Sequence, residues 1–382
     1  MIKKEILEIR KQFTPANCAV TRICGCYVDA EKNKKTELKK TFLSLPEEEM
    51  FKYFDIFRKT LSGTPGKNLL DMEFPLDQEI PGGTQDFLMK LKASQLNDEL
   101  LLEEFYDKII EHYHYGENYY IILIHGAYDI PKRGSDNLDQ FDASDDVYDF
   151  ILCSICPVKL SKAGLCYNTQ TNNIEDRMRD WLVEMPDVGF LFPAFNERNT
   201  DIHSLLYYSK NADEFQNEFI EQMLGCRIPL PAKGQKNSFN TIIEDTLQED
   251  CSFEAVRNIH DKLTEMMEEK KEEPEPFTLD KAEVKQLLAV NGANPEHLEQ
   301  FERQYDEYIG EKEEILASNV TNTRKFEVKT PNITIQVNPE RTDLLETRMI
   351  DGKTYLLIEI TDSVEVNGIN VRTVERKKGN EN

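Results

Sequence analysis

The sequence predicts an α+β fold, and three observations carry that prediction. Apolar residues recur at three- and four-residue intervals through much of 1–114 and again through 239–309, which is the helical period. Between those stretches, 118–128 is almost continuously apolar, as a strand buried on both faces would be. Near the C-terminus, Asp351-Gly352 and Asn367-Gly368 each sit between short runs of alternating residues, the signature of tight β-hairpins. The expected organisation is a mixed helix and antiparallel-sheet domain over 1–235, an acidic helical segment over 236–320, and a small antiparallel β domain with a disordered tail over 321–382.

The elements follow in order. Ile2, Ile6 and Ile9 give a short amphipathic helix over 1–12, ended by Thr14-Pro15. Residues 18–29 read as a strand. Pro46 and Glu47 to Glu49 open a helix whose apolar stripe is Met50, Phe54, Phe57 and Leu61. Helices are expected over 84–94 and 97–114, then the strand 118–128. A β-meander is expected from 148–159 through 163–168 and 177–185, continued by 188–195 and 202–209, and then a helix over 211–224 closed by Gly225. The stretch 226–238, rich in Pro, Gly and Lys, reads as a connector. Helices should follow at 239–248, 252–270, 279–290 and 295–309. Asp280 with Glu283 has capping-box spacing, and Asn294-Pro295 supplies a cap and a first-turn proline. In the first C-terminal hairpin, Ile350 should face Lys353 and Arg348 should face Tyr355.

Composition narrows the function classes. The 382 residues carry a formal charge of −25, and residues 241–320 hold 22 acidic against 8 basic side chains, a net −14. Such a chain is a poor match to nucleic-acid backbones or anionic membranes, both of which demand clustered Lys and Arg. The first residues have charges every two or three positions and lack the apolar core of a secretion signal, and the apolar run 119–128 is too short to span a bilayer. A cytoplasmic location is therefore expected, with the eight cysteines reduced.

Few groups point to chemistry. Cys24 with Cys26, and Cys153 with Cys156, lie in strand-like runs, where residues three apart face opposite ways, so reduced core thiols are expected rather than zinc ligands. Asp136, Asp139 and Asp142 recur at three-residue spacing and would suit a hard cation, although the same spacing gives a solvated helix face. His125 follows four aliphatic residues with Asp129 four positions on, and Asp201 with His203 lies beside another apolar run. These four could pair bases with orienting carboxylates. No phosphate-binding loop, dinucleotide fingerprint, metalloprotease helix or nucleophile elbow is present, and no cofactor is expected.

The stretches TRICGCYVDAEKNKK (21–35), FLSLPEEEMFKYFDIFRKTLSGTPGKNLL (42–70), FILCSICPVKLSKAGL (150–165) and GFLFPAFNERNTDIHSLLYY (189–208) resemble a family of uncharacterised bacterial proteins, domain of unknown function 4317. The resemblance covers nearly the whole chain and implies a bacterial cytosolic protein. It brings no activity, cofactor or catalytic residue with it. Two functions are left open. One is a non-enzymatic interaction or regulatory protein that docks a protein partner through 241–320, using its charge and the aromatic stripe Phe301, Tyr305 and Tyr308. The other is a small-molecule-binding protein or hydrolase with its site near His125, Asp129, Asp201 and His203.

Overall fold

The computed structural model describes residues 1–133, 139–140, 146–311, 313–360 and 364–371, with backbone alone at 132, 133, 139 and 140. The architecture is α+β. The chain divides into two compact units, Met1–Gly234 with Pro274–Pro276, and Gln235–Glu273 with Phe277–Asn382. The second unit contains both the acidic helices and the C-terminal hairpins.

The first unit is built on an eight-stranded antiparallel sheet. Its strands are β1 (Val20–Val28), β2 (Lys34–Thr41), β3 (Leu69–Glu73), β4 (Tyr119–Asp129), β5 (Val147–Leu160), β6 (Trp181–Val183), β7 (Val188–Phe192) and β8 (Ser204–Ser209). They run in the order β2-β1-β4-β5-β7-β8-β3, and β6 lies beside the far end of β5. The meander expected from 148 onward forms through β5, β7 and β8, and β4 pairs with β5 ahead of it. The hairpin pairing Leu165–Asn168 with Asn173–Asp176 stands outside it.

Helices cover both faces, so the strands have two apolar sides. On one face, α1 (Lys3–Arg10) and α2 (Glu47–Thr60) set Ile6, Ile9, Phe54 and Phe57 against Ile122, Ile124, Leu152 and Leu206. On the other, α3 (Thr84–Ala93) and α4 (Glu99–His112) pack Leu88, Leu91, Phe105 and Ile109 on Ile121, Leu123, Cys153 and Phe190. Each such side chain contributes about 1.5–3 kcal/mol on leaving water. Cys24 and Cys26 share one core, whereas Cys153 and Cys156 fall in different ones, as their spacing requires. The close seat of α2 depends on Gly189. A Cβ there would come within 2.6 Å of Thr60 Cγ2 and 2.5 Å of the Cys153 carbonyl. The space lets the buried Thr60 hydroxyl reach Ser154 Oγ at 2.7 Å.

The second unit collects α5 (Ala232–Leu247), which begins just ahead of the unit's first residue, with α6 (Phe253–Glu269), α7 (Lys281–Val290) and α8 (Pro295–Tyr308). They enclose a core of Phe239, Ile242, Ile259, Leu263, Leu287 and Phe301. Helix α5 starts about two turns earlier than the connector composition suggests, and it takes in Gly234. The capping box at Asp280 and the Asn294 cap both form. Three two-stranded hairpins follow, the second with Ile350 opposite Lys353 and Arg348 opposite Tyr355. Asp351 and Gly352 have φ of 51° and 74°, the type I′ conformation that Asp-Gly favours. The stretch 211–224 departs from the expected helix. Its regular part is centred on the π-helical turn Phe219–Met223, which buries Phe219, Ile220 and Met223.

No helix among the described residues is long and apolar enough to cross a membrane.

Candidate functional site

The four sequence candidates divide between separate environments. His125 lies on β4 with 1% of its surface exposed. Its Nδ1 is 2.6 Å from Thr21 Oγ1, and its Nε2 is 2.6 Å from Asp149 Oδ1. The second approach is short but too bent to count as a linear hydrogen bond. Lys92 of α3 closes the chain, with Nζ 3.4 Å from Asp149 Oδ2. Burial acts to raise the Asp149 carboxyl, but the His125 and Lys92 contacts outweigh it and hold the group below its usual value.

A β-bulge sets this arrangement. Val20 faces Gly126 and Arg22 faces His125, so Thr21 is the extra residue between them. The irregularity aims the Thr21 hydroxyl at the histidine while Thr21 itself stays exposed. Thr21, Asp149 and Lys92 are the members of this cluster that sequence reasoning missed. Each is brought to His125 by strand pairing or helix docking.

Asp129 is the exposed last residue of β4, opposite Val147. Asp201 and His203 belong to a tight turn in which Asp201 Oδ1 accepts the His203 backbone N–H at 3.0 Å. Asp201 Oδ2 also accepts from Asn196 Nδ2 at 2.7 Å. The His203 ring is exposed and meets Glu79 Oε1 at 2.8 Å, and this hydrogen bond raises its pKa. Among the described contacts none joins His125 to Asp129, Asp201 or His203. Asp136 and Asp142 lie outside the described residues, as does the Asp139 side chain. Among the described residues no group of three or more His, Cys, Asp or Glu side chains is placed to hold a metal ion.

The acidic segment also differs from its sequence reading. Phe301 and Tyr305 are wholly buried, and Tyr305 donates its hydroxyl to the Glu313 carbonyl at 3.0 Å. The aromatic stripe is therefore the second unit's own core, and only Tyr308 is exposed.

Exposed apolar side chains occur along the second unit's hairpins, among them Met349, Ile358 and Ile369, and in the first unit between 165 and 185. Leu165, Tyr167, Ile174, Met178, Trp181, Leu182, Val183 and Met185 are all exposed, with Met178 at 85% and Trp181 at 56%. Within this run β6 pairs with β5 alone among the described strands, which leaves it one open edge. Leu182, Val183 and Met185 line a groove of about 410 Å³ with Tyr53, Ile56 and Tyr120. Glu49, Lys52 and Asp55 of α2 also border it.

None of the curated proteins matches this sequence. A family described as a domain of unknown function, DUF4317, matches residues 1–369, so nearly the whole chain, both units included, belongs to that family.

Proposed function

We propose that this chain is a protein-binding module whose contact surface is the open edge at β6 and the groove beside it. The observation that carries this reading is the run of large apolar side chains exposed between 165 and 185. Isolated exposed apolar residues are ordinary, but Trp181, Leu182 and Val183 are three in succession on a strand with an unpaired edge, which has the form of a strand-addition site. Backbone groups on the free edge of β6 would pair with an extended segment, and the groove would accept one of its apolar side chains. Glu49 and Asp55 outnumber Lys52 at the rim, so the segment that fits best carries Lys or Arg beside its apolar positions.

The acidic helices keep a role in this scheme as a source of long-range attraction. Their net charge of −14 raises the encounter rate with a cationic partner, an effect that weakens as salt rises.

Trp181 is the sole tryptophan and sits on the proposed surface, so its fluorescence reports on the contact directly. Titration with a peptide of alternating Val and Lys should shift its emission to the blue, and Leu182→Asp should abolish the shift without changing the melting temperature. An unchanged spectrum with peptides of every charge pattern would remove the reading.

A further inference from the structure

Thr21, His125 and Asp149 form a hydroxyl–imidazole–carboxylate chain that the binding role does not use. We infer that Thr21 is a nucleophile, activated by His125 and oriented through Asp149, that takes the acyl group of a carboxylic ester. The inference is independent of the β6 edge and involves none of its residues.

A carboxylate beside Nε2 favours the tautomer with its proton on that nitrogen, which leaves Nδ1 as an acceptor. Thr21 Oγ1 lies 2.6 Å from Nδ1, within reach of proton transfer. The bent approach of Asp149 is compatible with this role, because such contacts commonly tighten only when substrate is bound. The imidazole is enclosed, while Thr21, whose hydroxyl it would activate, is an exposed residue on the bulge.

The chemistry balances without a further reactant. Thr21 Oγ1 bonds to the ester carbonyl carbon, and His125 Nδ1 takes the hydroxyl proton. The carbon–alkoxy bond then breaks, and the alcohol leaves with that proton. Water next adds to the acyl-Thr21 carbon, again giving a proton to His125. The carboxylic acid departs as Thr21 recovers its hydrogen.

A purely structural role predicts otherwise. Thr21 Oγ1 is also 3.1 Å from the His125 carbonyl, so the hydroxyl can brace the bulge by donating there. Full-length protein treated with p-nitrophenyl acetate, quenched in acid and mapped by peptide mass spectrometry separates the two. The expected result is an acetyl group on Thr21, retained in Thr21→Ser and absent in Thr21→Val. His125→Gln should slow acetylation at this position about 100-fold. Asp149→Asn should slow it less and move the midpoint of its pH profile, with melting temperature as the folding control. Absence of acetyl at position 21 in the native chain overturns the inference. So does acetylation of that residue at the same rate in His125→Gln. If His125→Gln does not fold, loss of acetylation and of the pH midpoint in folded Asp149→Asn decides the matter in its place.

Discussion

The eight strands of the first unit's main sheet and the hairpins of the second draw on similar aliphatic residues, yet the environments of those residues are opposite. Ile121 to Ile124 have no exposed surface, whereas Met349 and Ile369 are 77% and 70% exposed. The difference comes from neighbours. β4 has a strand on either side and helices over both faces, while each hairpin pairs only with itself among the described residues. Aliphatic alternation therefore locates a strand but does not say whether it will be buried. That is decided by what the rest of the chain can lay over it.

Paired substitutions test this contrast most strongly. Phe190→Ala removes a fully buried ring beside Phe105 and should cost about 3–5 kcal/mol in urea unfolding. Met349→Ala should fall within about 0.5 kcal/mol. Equal costs would mean that the hairpin face is covered in solution. A smaller effect concerns the helices between. Asp280→Ala deletes a capping-box acceptor 2.7 Å from the Glu283 N–H and should destabilise the second unit by about 1 kcal/mol, read as a lowered urea midpoint. The smallest is a pH effect in the first unit. The Lys35 hydrogen bond, helped by the Asn33 backbone N–H, depresses the Asp29 carboxyl to about 2. A depressed acid adds stability that is complete above its unfolded value near 4 and is lost as pH falls through 2. Asp29→Asn should flatten that acid limb in melting temperatures recorded from pH 5 to 2. An unaltered slope would show that the pair contributes nothing.

Most long elements were legible because their apolar period was strong. β2 was not, since KKTELKKT has Leu38 as its sole aliphatic residue. Its lysines suit a sheet edge, where charge discourages further pairing, and that is where it lies. β3 has five residues and too few positions to show a period. Part of the candidate site was readable, because an ionisable His125 inside an apolar strand is conspicuous. Its partners were not readable. Thr21 is 104 residues away, and neither a bulge nor a cross-strand diagonal leaves a local trace in sequence. The aromatic stripe of α8 failed as a partner signal for a related reason. Periodicity shows that a helix has an apolar face without showing what covers it.

The eight cysteines are all unbonded, and burial raises the thiols of Cys18, Cys24, Cys26, Cys153, Cys156, Cys226 and Cys251, with Cys26 and Cys226 reaching about 12. Folded, those seven offer little thiolate to an oxidant or alkylating agent. Unfolded, each of those thiols returns to about 8.5 and becomes reactive. Oxidation thus acts as a ratchet that captures whichever molecules have opened. The yield of refolding should depend on added reductant, and oxidation of the thiols in air, slow beside reclosing, should track the equilibrium population of the open state.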